Sequence, residues 1–184
     1  MSKIKEKIVN IIFLGGEGVG KTEFISNYLS KLTTVPVEKP ECKKIKKIIG
    51  NNTINITIYE YSVINDKIIQ IINKCHCAFI IFNMTSRESF DDLYDRFLIT
   101  LRDVCKFEGM IIILGNYFSF DSTLSTNKDE IQELINVSQT LSRFYEIGNK
   151  NNDEKIQLID SLITEAIDFG LSKTKGESNK CIIY

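Results

Sequence analysis

Ile8-Val9-Asn10-Ile11-Ile12-Phe13-Leu14-Gly15-Gly16-Glu17-Gly18-Val19-Gly20-Lys21-Thr22 decides how this chain folds. Ile8 to Leu14 is an apolar run of strand length, broken only by Asn10. Gly15 to Thr22 fits the pattern G-x-x-x-x-G-K-[ST]. From Lys21 onward, Phe24, Ile25, Tyr28, Leu29 and Leu32 fall on one helical face. A strand, a glycine turn and a helix in that order are the context this pattern needs to hold phosphate. Glycines let the backbone wrap a phosphate chain with its N–H groups pointing inward. The helix N-terminus adds positive potential. In that arrangement the Lys21 ammonium reaches the terminal phosphates, and the Thr22 hydroxyl binds a magnesium ion that bridges them. A glycine turn with an incidental lysine is the competing reading, and it leaves the flanking strand and helix unexplained.

Outward from this loop, short apolar runs alternate with amphipathic stretches. Ile54, Ile56 and Ile58 alternate with Asn55 and Thr57, which is strand periodicity. Gly50-Asn51-Asn52 is a turn before them, so Ile45 to Ile49 is the expected hairpin partner. Ile64, Ile68, Ile72 and Cys75 repeat at helical spacing. Cys77 to Asn83 and Met110 to Gly115 read as buried strands. Thr85-Ser86-Arg87-Glu88 has the form of a capping box, followed by Phe90, Leu93, Tyr94, Phe97, Leu101, Val104 and Cys105. Helices are predicted near 128–141 and 153–169, with a short strand at Phe144 to Ile147 between them. After Gly170 the chain turns polar and loses its periodicity. The spacing therefore predicts an α/β fold, a mostly parallel sheet covered on both faces, with one hairpin-joined antiparallel edge strand.

The 184 residues suit a single domain plus a tail, with 43% hydrophobic and 26% charged residues. Lys and Arg total 23 against 24 Asp and Glu, a net charge of −1 that removes the electrostatic case for nucleic-acid binding. The lysines at 43, 44, 46 and 47 around Ile45 read as an edge strand guarded by charge. Five cysteines, an odd number at irregular spacing with no secretory signal ahead of them, imply reduced thiols in a cytosolic compartment. No apolar run approaches the 18 or more residues of a spanning helix. Cys75-His76-Cys77 has no second cluster nearby to complete a tetrahedral metal site and reads as a strand start.

The chain resembles the Ras superfamily of small GTPases, and within it the Rab and Ras branches. Three stretches carry the resemblance: the loop Gly15 to Thr22; His76 to Phe90, which looks like the family's fourth strand and its T-x-R-E-S-F helix start; and Ile112-Ile113-Leu114-Gly115-Asn116, which looks like the strand entering the guanine motif. The resemblance spans about residues 7 to 169. It implies a P-loop NTPase fold with a six-stranded, mostly parallel sheet, one antiparallel edge strand and five surrounding helices. It implies a G domain over 1–170 and a tail over 171–184. GTP or GDP with Mg2+ would be bound by Gly15, Glu17, Gly18, Val19, Gly20, Lys21, Thr22, Glu23, Asn116, Tyr117, Asn149 and Lys150, with Thr22 and Glu60 at the metal. Effector and regulator proteins would read the switch surface.

Departures from the family pattern bear on mechanism. Its D-x-x-G aligns with Glu60-Tyr61-Ser62-Val63. Glu60 keeps a carboxylate, one methylene longer. Val63 replaces a glycine and resists the backbone flip of a switch. Ile64 fills the slot of the glutamine that orients the attacking water, and an aliphatic group cannot hydrogen-bond it. Thr33 and Thr34 are candidates for the switch I threonine, Val37 falls nearest its slot, and Pro36 and Pro40 stiffen the loop. The threonine stays unassigned. Glu17 replaces a small residue; it either repels the terminal phosphate or points into solvent. In the guanine motif Asn116 is kept, Tyr117 replaces the lysine and Ser119 takes the aspartate slot, with Asp121 able to serve only through a two-residue bulge. Glu146-Ile147-Gly148-Asn149-Lys150 matches E-x-S-A-K.

Cys181-Ile182-Ile183-Tyr184 fits C-a-a-X, with Cys181 the expected prenylation site; the terminal aromatic leans toward geranylgeranyl. Lys173, Lys175 and Lys180 add a thin basic patch, so membrane holding would be reversible and on the cytosolic face. Two functions compete: a slowly cycling small GTPase in vesicle traffic or signalling, and a pseudo-GTPase adaptor that binds nucleotide without hydrolysing it. A nucleotide kinase fits poorly, because Arg87, Arg96, Arg102 and Arg143 are the only arginines and none lies in a lid-like loop.

Overall fold

The apolar run before the glycine turn forms β1 (Lys5–Leu14), which begins at Lys5 rather than Ile8. The computed structural model describes residues 5–32, 36–39, 41–49, 52–117, 125–137, 142–148, 150 and 152–177. Thr33, Thr34, Pro40, Gly50, Asn51, Ser119, Asp121, Leu141, Asn149 and Cys181 lie outside the described residues. The other strands are β2 (Val37–Lys39), β3 (Cys42–Ile49), β4 (Asn52–Tyr61), β5 (Cys77–Asn83), β6 (Met110–Asn116) and β7 (Ser142–Glu146). Their order is β2-β3-β4-β1-β5-β6-β7. The expected six-stranded sheet is present, and the three-residue β2 extends it at the β3 edge. Both β2 and β4 pair antiparallel to β3, so among the described residues only β3 runs against the rest. Val37, nearest the switch I slot, opens β2 opposite Lys44.

Five helices cover the sheet among the described residues. They are α1 (Lys21–Leu29), α2 (Asp66–Ile72), α3 (Arg87–Asp92), α4 (Lys128–Val137) and α5 (Asn152–Glu177). The cap of α3 differs from the sequence reading. Ser86, not Thr85, is the N-cap and accepts from the Ser89 N–H at 3.2 Å; Thr85 donates instead to Asn83 Oδ1. Beyond Asp92, α3 widens into i→i+5 turns over Leu93–Leu98 and Thr100–Val104. The loop after it turns through Lys106 at φ 49°. The last helix also runs past Gly170, where the periodicity fades, to Glu177. No described helix is long and apolar enough to cross a membrane.

Alternation along β1 divides the core in two. Val9, Ile11 and Phe13 face α1 and α5, meeting Phe24, Ile25, Tyr28, Ile159, Leu162, Ile163 and Ala166. Ile12 and Leu14 face α2, α3 and α4, meeting Ile68, Ile72, Phe90, Leu93, Phe97, Ile131 and Leu134. β5 and β6 are buried on both sides, which is why they read as unbroken apolar runs. Phe13 stacks on Phe79 at 4.6 Å between centroids, with Phe24 tilted against both, directly below the glycine turn. His76 fastens the start of β5: its Nδ1 accepts the Asn10 N–H at 3.1 Å, and its own N–H donates to the Asn10 carbonyl at 2.8 Å. Cys77 is fully buried, and burial pushes the Cys75 thiol up to about 12. These are core roles, and no cluster of metal-ligating side chains occurs among the described residues.

Phe79→Ala removes the stacked ring from this floor. The expected loss of unfolding free energy in urea is about 3–5 kcal/mol; a loss below about 1 kcal/mol, the size of an ordinary substitution, would contradict the packing.

Candidate functional site

The C-terminal ends of β1, β4, β5 and β6 converge where the glycine turn leaves the sheet. Gly15, Gly18 and Gly20 adopt φ of 145°, 72° and 100°, a region that L side chains rarely enter. At Gly15 the need is doubled, because a Cβ there would lie 2.1 Å from the Ile81 carbonyl oxygen. The turn is pressed closely onto β5 at this point. Gly18 faces open space on the outer side, and Gly20 leads directly into α1. Val19 is buried, and its carbonyl accepts a hydrogen bond from Asn116 Nδ2 at 2.9 Å. The kept asparagine thereby ties the end of β6 to the loop.

Lys21 is only 5% exposed. Its ammonium donates to the carbonyls of Gly15 at 2.9 Å and Gly16 at 2.6 Å, and to Ser62 Oγ at 2.9 Å. Burial holds its pKa below 10.5, while the carboxylates of Glu60 and then Glu17 pull it back up. The Thr22 hydroxyl donates to Glu60 Oε1. Glu60 lies at the end of β4 and Ser62 just past it, and both reach the start of α1. Together they clasp the consecutive pair Lys21 and Thr22. A hydroxyl beside a carboxylate is a hard-oxygen donor pair of the kind that suits Mg2+. Glu60 and Thr22 are thus brought together as the sequence predicted. Ser62 is a functional-site neighbour that local sequence pattern does not reveal, because its contact with Lys21 spans 41 positions.

The second half of the candidate site lies where β6 and β7 end. The Ile147 N–H donates to the Gly115 carbonyl at 2.8 Å, which brings the loops after the two strands together. Tyr117 packs on the backbone of Gly148: a Cβ on that glycine would stand 2.5 Å from the Tyr117 nitrogen. The Tyr117 hydroxyl reaches toward Glu146 Oε1 at 3.4 Å. Lys150 is half-buried, and its N–H donates to the Ile147 carbonyl at 3.4 Å. Glu17 and Glu23 are both exposed on the loop and the first turn of α1. Val63 is 58% exposed, and Ile64 packs against the core on the α2 and α3 side of the sheet.

A family model described as Ras family matches residues 10–168. A probable Rab-related GTPase of Acanthamoeba polyphaga mimivirus is 28% identical over 131 residues, covering 65% of this chain and 60% of that protein. The chain thus spans about three fifths of the length of the curated relative it matches.

Because the Lys21 ammonium is held below its usual value, the unfolded chain binds that proton more tightly than the folded chain. Between the folded value and 10.5, stability therefore rises with pH. Lys21→Met lacks that rise. The unfolding free energy of the parent minus that of Lys21→Met is expected to climb as pH approaches 10.5, measured by urea titration. A falling difference would mean that the fold favours the charged form, and a flat one that it favours neither.

Proposed function

The chain belongs to the Ras family, and we propose that it is a guanine-nucleotide-binding protein of the Rab and Ras type, with its phosphate grip kept and its hydrolytic machinery degenerate. The observation that carries this reading is the buried Lys21 ammonium at the head of a glycine turn that can take no side chain at Gly15. A buried cation costs solvation unless anions or oxygens surround it. Here the loop carbonyls hold it at the mouth of α1, where backbone N–H groups and the helix dipole favour an anion. Thr22 and Glu60 would hold Mg2+, which when bound supplies charge neutralisation to the phosphates. The residues of the chain itself then orient the phosphate chain and shield it from water.

For the base, Asn116 is committed to Val19, and the Tyr117 ring over Gly148 offers an aromatic face for stacking. Hydrolysis is slow or partner-dependent in this reading. Ile64 brings no hydrogen-bonding group to an attacking water, and its side chain is drawn toward the core rather than to the phosphate loop. That placement also favours a second reading, a pseudo-GTPase adaptor that holds nucleotide without turning it over. In either case effector and regulator proteins would read the surface around β2 and the Glu60 to Ile64 segment, in vesicle traffic or signalling.

The test is to denature protein purified from its own cell and identify the released nucleotide. GDP or GTP is expected, and Lys21→Ala is expected to lose it while staying folded. Magnesium with GTP at a hundred times its dissociation constant should stabilise the parent by about 2.7 kcal/mol. Absence of both retention and stabilisation would remove nucleotide from the function. Single-turnover hydrolysis at the solution rate, unstimulated by any partner, would leave the adaptor reading.

A further inference from the structure

Where β5 and β6 begin, at the end of the sheet opposite the glycine turn, lies an open cavity of about 470 Å³. That is the size of a small-molecule site. Three lysines from separate elements line it: Lys74 after α2, Lys106 after the widened end of α3, and Lys173 on α5. Lys173 is present because α5 runs on past Gly170, which packs so closely that a Cβ there would stand 3.2 Å from His76 Cβ. Among the described residues, none of the three ammonium groups joins an ion pair or donates a hydrogen bond. Lys173 lies over the Phe169 ring at 5.6 Å from its centroid. Lys106 stands near Asp103, but both oxygens of that carboxylate are already held by Arg102 at 2.8 Å. Glu108 is the one carboxylate on the lining. The two thiols there, Cys75 and Cys105, are kept neutral by burial.

A lysine near the end of a helix is favourable by itself, since it faces the negative end of the dipole. That accounts for a cation on each element, and not for three of them around one hollow, where they repel one another. We propose that this cavity binds a compact polyanion carrying two or more phosphate groups. An ammonium is a point charge with no fixed fork, suited to phosphate oxygens at any angle. Three of them, opposed by Glu108 alone, call for several negative charges on one ligand. Soluble inositol phosphates and the phosphoinositide headgroups of a membrane share that chemistry. The site lies apart from the glycine turn and does not depend on nucleotide.

The experiment titrates the full chain with inositol trisphosphate at low salt. In parallel, the chain is sedimented with phosphatidylcholine vesicles that carry or lack phosphatidylinositol bisphosphate. Lys74→Ala combined with Lys106→Ala is expected to weaken inositol trisphosphate binding about tenfold, roughly threefold for each exposed ion pair. Lys44→Ala combined with Lys46→Ala removes the same charge from exposed positions of β3 and is expected to keep the affinity within about twofold. Lys21→Ala, which disables the glycine turn, is expected to bind inositol trisphosphate as the parent does. Sedimentation only with vesicles that carry the phosphoinositide, reversed by inositol trisphosphate, supports the site and makes a membrane the source of its ligand. Binding of the soluble compound without the vesicles supports the site and makes a free phosphate compound the source. Binding of neither form by the parent would overturn the proposal. So would equal weakening by the β3 pair, which would mean that overall charge is read instead of the cavity, or loss of binding in Lys21→Ala, which would place the ligand in the glycine turn.

Discussion

An ammonium group inside a protein must be met by oxygens, and the lysine at the start of α1 meets three of them. This requirement organises the centre of the molecule. Two of the oxygens are carbonyls of the glycine turn, so the turn must fold back over the lysine. That path is open only because Gly15 lies flat against the Ile81 carbonyl, where no Cβ fits. The third oxygen is Ser62, so β4 must end beside the turn. Register delivers it: Leu14 pairs with Tyr61, which carries Ser62 to the level of Gly15. The core beneath is built to hold that level, with the Phe13 and Phe79 rings stacked under the loop.

The same constraint ties the two halves of the candidate site. Asn116 at the end of β6 reaches across to the Val19 carbonyl, within the turn itself. Tyr117 follows it and rests on Gly148 after β7. A single chain of contacts therefore runs from Ser62 through Lys21 and the glycine turn to Asn116 and Tyr117. These contacts join the glycine turn to the ends of β6 and β7, and Val63 beside Ser62 is exposed.

Departures from the family pattern fall on this frame in a graded way. Positions that hold the turn keep their chemistry: the glycines, Lys21, Thr22, a carboxylate at Glu60, and Asn116. Ile64, which falls in the slot of the family's glutamine, shows why an aliphatic residue suits the fold there. Its side chain joins the core on the α2 and α3 side, a favourable burial for an aliphatic group and an unfavourable one for a glutamine.

The sequence by itself determined the glycine turn, the order of strands and helices, and the two-sided core. Each is written in local terms: a spacing of glycines, an alternation of period two, a run of apolar residues. The antiparallel place of β3 followed from a hairpin signal in the same way. Capping of α3 by Ser86, the continuation of α5 to Glu177 and the added β2 did not follow, because each depends on geometry that short-range pattern underdetermines. The bond between Ser62 and Lys21 joins residues 41 positions apart. Only the tertiary structure decided it, because it exists solely through the register of β4 on β1, and register is set by packing both faces of the sheet at once.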